Sequence, residues 1–252
     1  MSANTAHTAD GAGILLYSGE MIILYAKHVE MTFTSITESF FKGKKYGNLY
    51  LTSHRIIFLN DDNNALKSLS MPFSCMTDIN LEQPLFGANY ISGKLTGQPG
   101  GNFEGQIGWR LTFPKGGCID FGKALRQAVI MVQNQGVRPP NAPPPYVPPA
   151  GSYFAPPPAY YSANPTHLGQ FQAPTNVFPD RPEEGTVYVF EQPPPYAGIP
   201  LANQNQLYPD LRQRNVHNPE VPPPYPSEST TNPTAPPNYD DATKLPEKPK
   251  VA

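Results

Sequence analysis

Five times in this chain a pair of prolines is followed, after one intervening residue, by a tyrosine. The copies are Pro143-Pro144-Pro145-Tyr146, Pro157-Pro158-Ala159-Tyr160, Pro193-Pro194-Pro195-Tyr196, Pro222-Pro223-Pro224-Tyr225 and Pro236-Pro237-Asn238-Tyr239. The chemistry such a segment can do is recognition. Polyproline II has three residues per turn and no internal hydrogen bonds, so the first proline and the tyrosine project along one edge and the carbonyls stay free to accept. A WW domain offers the complementary surface, an aromatic groove for the proline rings beside a pocket for the tyrosine ring and its hydroxyl. Because the segment is largely pre-ordered, docking costs little entropy. A single copy arises by chance in a proline-rich spacer; five copies within residues 139–252 do not.

Their spacing adds valency. Tyr146 and Tyr160 are 14 positions apart, and so are Tyr225 and Tyr239. A flexible span of that length reaches about 20 Å, and proline stiffness extends it towards roughly 40 Å. Two neighbouring WW domains can then be engaged together, the second contact being intramolecular.

Other chemistry finds little footing. Gly117 to Lys123 reads G-x-x-x-x-G-K, but Ala124 stands where a P-loop needs the hydroxyl that holds magnesium, and Ile119, Asp120 and Phe121 fill the phosphate cradle. His7, His28, His54, His167 and His217 are scattered, with no H-x-x-x-H pair and no G-x-S-x-G turn. Asp78 and Glu82 share the solvent side of a strand-like segment. Cys75 and Cys118 have no partner at metal spacing and read as two buried thiols in a reducing compartment. The expectation is no catalysis, no metal and no cofactor. Lys42, Lys44 and Lys45 crowd one loop, FKGKKYG, where three cations would each add about 1 kcal/mol towards an anionic, phosphoinositide-bearing membrane; a solvated loop is the plainer alternative.

The elements that must carry these motifs follow from a break in composition. All but four of the 33 prolines lie after Arg138, the exceptions being Pro72, Pro84, Pro99 and Pro114. Residues 1–138 carry 12 Lys/Arg against 10 Asp/Glu, and the remainder 6 against 10, so neither part has the basic stripe of a nucleic-acid binder. The expected organisation is one domain over 1–138 and a disordered proline-rich tail over 139–252, short of aliphatic residues and of backbone donors. No basic-then-apolar leader opens the chain, and the run MIILYA at 21–26 is far short of the ~20 residues that cross a bilayer, so an intracellular soluble protein is expected.

Within the domain, Val29, Met31 and Phe33 alternate with Glu30 and Thr32, and residues 46–60 read as a hairpin turning at Thr52-Ser53-His54. Further strands fit 66–71, 76–81 and 90–95. Period two persists from Phe103 to Phe113, placing Phe103, Ile107, Trp109, Leu111 and Phe113 on one face. A short strand is expected over 118–121. Then Leu125, Ala128, Val129 and Val132 mark one stripe of an amphipathic helix over 123–133. About seven antiparallel strands and a C-terminal helix describe a mainly β, pleckstrin-homology-like barrel.

The segments GNLYLTSHRIIFL (47–59), SMPF (70–73), QPLFGANYISG (83–93) and LTFPKGGCIDFG (111–122) resemble the GRAM domain of the WW domain-binding protein 2 family. The resemblance implies a pleckstrin-homology-like GRAM fold without catalysis. As partners it implies WW-containing proteins such as Yes-associated-type co-activators and HECT-type ubiquitin ligases. It further implies a transcriptional coactivator, linked indirectly to transcription complexes, that moves between cytoplasm and nucleus. An alternative role is a membrane-recruited adaptor that presents WW-containing ubiquitin ligases.

Overall fold

The computed structural model describes residues 1–34, 38–62, 65–135, 144–149, 152–165 and 168–200. In chain order its strands are β1 (Ser2–Ala3), β2 (Ile14–Leu16), β3 (Ile22–Thr34), β4 (Lys45–Thr52), β5 (Arg55–Asn60), β6 (Ser68–Pro72), β7 (Met76–Glu82), β8 (Tyr90–Thr96) and β9 (Gln106–Thr112). Helix α1 (Cys118–Gln133) follows, then β10 (Tyr153–Phe154) and β11 (Val187–Phe190). Among the described residues β1 and β3–β9 form one antiparallel sheet in the order β1-β6-β5-β4-β3-β9-β8-β7. The seven strands β3–β9 and the helix after them make the fold mainly β and pleckstrin-homology-like.

One long strand joins the two halves of this barrel. β3 pairs with β4 along its first part and with β9 from Glu30 to Thr34, and its register shifts between Ile22 and Leu24 and again between Ala26 and Val29. Such bulges bend a strand and raise its twist, which lets one strand serve two half-sheets. Beyond the second bulge Val29, Met31 and Phe33 are buried while Glu30 and Thr32 are partly exposed, as their alternation predicts. The hairpin turns at Ser53-His54. Strand β9 is shorter than its pattern because Gly105, at φ +96°, breaks the extended run before Gln106. Ile107, Trp109 and Leu111 still point inward, and Gly93 lies opposite Trp109. A Cβ on Gly93 would stand 2.8 Å from Trp109 Cζ2, so the missing side chain is what admits the indole.

The helix starts earlier than its sequence reading. Residues 118–121, expected as a strand, form the first turn of α1. Gly116 and Gly117, at φ +89° and +84°, take the left-handed conformation that L side chains avoid, ending the extended chain and redirecting it. Cys118 and Phe121 then fall on the same apolar stripe as Leu125, Ala128, Val129 and Val132, all buried against the open side of the barrel. Gly122 lets the helix approach closely; its Cβ would meet Leu81 and Ile91 at 3.2 and 3.4 Å.

A second layer covers the outside of the barrel, and here the chain departs from a domain ending at 138. β11 pairs in parallel with β2 and antiparallel with β10, making a three-stranded sheet from both sides of that boundary. Its Val187 and Val189, with Ile14, Leu16 and Tyr161, pack on Tyr50, Ile57 and Leu59, the outer face of β4 and β5. All six residues of β5 are therefore buried. Residues 161–163 are tied to the start of β3, Ile22 N–H donating to the Tyr161 carbonyl at 2.6 Å and Ala163 N–H to the Ile22 carbonyl at 3.0 Å. The physical reason is in β5 itself. Ile56-Ile57-Phe58-Leu59 is apolar on both faces, and a strand of that kind needs cover on both. The described parts of 139–252, namely 144–149, 152–165 and 168–200, belong to the compact unit Met1–Pro209.

Candidate functional site

Three of the five tyrosines predicted to bind fall among the described residues, and all three lie partly buried on the barrel. The motifs ending at Tyr225 and Tyr239, with Pro222, Pro223, Pro236 and Pro237, lie outside the described residues, as does Pro143.

Tyr146 sits on the β8–β9 connection. Its N–H donates to the Pro99 carbonyl at 2.9 Å, and Gln98 Nε2 donates to the Pro144 carbonyl at 3.0 Å. The backbone groups that polyproline II would leave free are thus engaged. Burial raises the Tyr146 phenol above its ordinary range, with a hydrogen bond to Thr5 and the nearby Arg55 opposing it.

Tyr160 closes a single 3-10 turn. Pro158–Tyr160 is helical, with Tyr160 N–H bonded to the Pro157 carbonyl at 2.9 Å. Pro157 remains extended, at φ −63° and ψ 154°. The motif therefore bends where a WW groove needs it straight. Phe154 packs edge-on to the Tyr160 ring, with centroids 6.0 Å apart.

Tyr196 is the most deeply engaged. Its ring stands edge-on to Tyr17 at 5.8 Å between centroids and lies 6.4 Å from the His54 ring. The Arg55 guanidinium is 5.9 Å from its centroid. The hydroxyl is buried without a well-formed hydrogen bond, while Pro193 and Pro195 face solvent. Burial pushes this phenol well above its ordinary range, and the Arg55 charge opposes that only in part.

The floor under Tyr196 is an ion pair that sequence reading did not single out. Arg55, at the start of β5, donates from Nε to Glu20 Oε1 at 2.8 Å and from Nη2 to Glu20 Oε2 at 2.9 Å. Its other protons reach Ser70 Oγ at 2.9 Å and the Leu15 carbonyl at 2.8 Å. Glu20 also accepts from Thr52 Oγ1 at 2.7 Å and from the Tyr17 N–H at 2.9 Å. Both residues are almost wholly buried, Glu20 at 1% exposure and Arg55 at 3%. Burial alone would raise the Glu20 carboxyl; Arg55 and the hydrogen bonds more than offset it and hold the group below the usual carboxylate range. The same pairing holds Arg55 above its usual range against a burial effect of opposite sign. With four of the five guanidinium protons and both carboxylate oxygens used, the pair is structural. The only sequence signal was an arginine heading the apolar run Ile56-Ile57-Phe58-Leu59.

The lysine loop is partly spent on the chain itself. Lys44 Nζ lies 3.0 Å from Glu30 Oε1, and Lys45 is buried with its Nζ on the Lys42 carbonyl at 2.9 Å. Lys42 is exposed. The β7–β8 loop lifts Leu85 and Phe86 into solvent, at 97% and 92% exposure. Cys75 and Cys118 are both buried and free, and burial pushes the Cys118 thiol up to about 11. Asp78, which sits at the register shift in β7, pairs with Lys94 at 2.8 Å. Among the described residues no cluster of His, Cys, Asp and Glu is placed to hold a metal ion, and no helix is long and apolar enough to cross a membrane.

Residues 20–131 match the GRAM domain family. The chain is 39% identical over 160 residues to WW domain-binding protein 2 of Homo sapiens, a match that covers 63% of this chain and 60% of that protein's length. A UPF0664 stress-induced protein of Schizosaccharomyces pombe is 31% identical over 116 residues, covering 44% of this chain and 67% of the relative. Among solved structures the Vps36 N-terminal PH domain aligns with a TM-score of 0.41 at 19% identity, over 53% of this chain and 96% of that one.

Proposed function

The chain belongs to the WW domain-binding protein 2 family, and from that premise we propose that it is a non-enzymatic adaptor whose Pro-Pro-x-Tyr motifs bind WW domains. The observation that carries the reading is the fivefold repetition of the motif, in a chain whose relatives are named for binding WW domains. The GRAM barrel is the platform, and the motifs after it are the ligand. In this reading the partners are Yes-associated-type co-activators and HECT-type ubiquitin ligases. The outcome is transcriptional coactivation by a protein shared between cytoplasm and nucleus.

Affinity capture on a tandem WW protein tests it. The intact chain should be retained, and a chain with Tyr146, Tyr160, Tyr196, Tyr225 and Tyr239 all replaced by alanine should pass through. Retention of both would remove the motifs from the reading. Valency is tested by Tyr239→Ala, which should weaken binding to a tandem WW protein by ~10²-fold if the 14-residue pair is engaged together. Equal losses against single and tandem domains would mean independent sites.

A second reading, recruitment to membranes, draws on Leu85 and Phe86, two adjacent apolar side chains standing in solvent where a bilayer interface would bury them. Liposomes containing phosphoinositide decide it: sedimentation of the full chain that is lost in Leu85→Ser/Phe86→Ser supports recruitment, and no sedimentation excludes it.

A further inference from the structure

We propose that the barrel masks its own third motif, holding Tyr196 in a notch formed by Tyr17, His54 and Arg55 so that a WW domain must first lift residues 191–199 off the surface. This rests on the adaptor reading and adds its regulation.

Two features make the contact a mask. Recognition needs the tyrosine ring and hydroxyl inside the partner's pocket, and here the hydroxyl is already buried in this chain. The leading proline, by contrast, is presented outward: Pro193 is exposed, while Pro194 is half-buried. A WW domain therefore meets the leading proline but not the tyrosine hydroxyl.

The segment is clamped on both sides of the motif. Before it, Ser18 N–H donates to the Gln192 carbonyl at 2.8 Å, just after β11 has paired with β2. After it, Ile199 N–H donates to the Ser53 carbonyl at 2.7 Å and the Ile199 side chain is fully buried in the main core. Gln135 Nε2 reaches the Gly198 carbonyl at 2.8 Å, and Gly198 lies so close to His54 that a Cβ there would be 2.4 Å from the imidazole. Ring, backbone and anchor must leave together, so the motif is available only in the fraction of molecules in which the clamp is open. Apparent affinity falls by that fraction.

Two measurements on the full chain test the mask. In the first, tyrosines are nitrated with tetranitromethane and mapped by mass spectrometry, with no WW domain present. Tyr196 should react at least tenfold more slowly in the chain than in a synthetic peptide of residues 188–200. Ile199→Asp should remove most of that protection, as should Gly198→Val, which acts by collision with His54 should the aspartate variant fail to fold. Equal reactivity in chain and peptide overturns the mask. In the second, an isolated WW domain is titrated against the peptide and against a chain whose other four motifs are disabled at Pro144, Pro158, Pro223 and Pro237 by alanine. The peptide should bind at least tenfold more tightly, and either unmasking substitution should close the gap in the chain while leaving the peptide's own affinity unchanged. Equal affinities overturn the mask and leave the adaptor reading standing. A peptide with no affinity for the WW domain removes the adaptor reading at this motif, and the nitration result then decides the mask by itself.

Discussion

Arg55→Met is the sharpest test of how this chain is held together. The substitution keeps most of the aliphatic stem and removes five N–H donors. Two of those donors serve Glu20, one serves Ser70 and one the Leu15 carbonyl. Glu20 would be left buried with only Thr52 and the Tyr17 N–H as donors. Breaking a buried pair by removing one partner costs about 3–5 kcal/mol, because the remaining charge is no longer compensated. In a unit the size of Met1–Pro209 that lowers Tm by about 10 °C. The assay is urea unfolding at pH 7, compared across wild type, Glu20→Gln, Arg55→Met and the double variant. If the pair is a unit, the double variant should be less destabilised than the sum of the singles by at least ~1 kcal/mol. A loss below ~1 kcal/mol for Arg55→Met with an unchanged m-value, or strict additivity in the cycle, would refute the reasoning.

Acid should weaken the same region. His54 is buried and its pKa falls to about 4, chiefly from burial, with Glu20 opposing the shift and Arg55 adding to it. The unfolded chain therefore binds a proton near pH 6.5 that the folded chain refuses, so stability is full above that pH and falls as pH drops. The loss should reach ~3 kcal/mol near pH 4; His7, lowered mainly by burial, adds in the same direction, so His54→Gln should flatten the slope of urea stability between pH 6.5 and 4.5 without abolishing it. Leu125→Asp puts a charge at a site with no exposure under α1 and should cost several kcal/mol, read as loss of the cooperative thermal transition; an unchanged Tm would contradict the helix docking. Limited proteolysis should leave a resistant fragment that extends through Ile199, where the last described anchor lies, and a fragment ending near residue 138 would mean that β10 and β11 do not hold on the barrel.

Much of the barrel was legible because its cause is local. Period-two alternation in 29–33 and 103–113, the polar turn at 52–54 and the stripe from Leu125 to Val132 each need only neighbouring residues to be read. The repetition of Pro-Pro-x-Tyr was visible for the same reason, since it needs only adjacent residues to be read, although Pro158–Tyr160 folds into a 3-10 turn rather than staying extended. The misplaced strand at 118–121 shows where local reading fails. Apolar residues at Cys118 and Phe121 fit either period, and the two left-handed glycines before them decided the matter. The second layer needed more still. Val187-Tyr188-Val189-Phe190 is a good strand, but nothing local says that it pairs with Ile14–Leu16, more than 170 positions away, or that together they cover the outer face of β5. The doubly apolar run Ile56-Ile57-Phe58-Leu59 required a cover without naming it. By itself the sequence determined most strands of the barrel, the body of its helix and the positions of the repeated motif. Only the tertiary structure decided that Tyr146, Tyr160 and Tyr196 lie against the barrel, because burial of a side chain depends on what long-range pairing brings beside it.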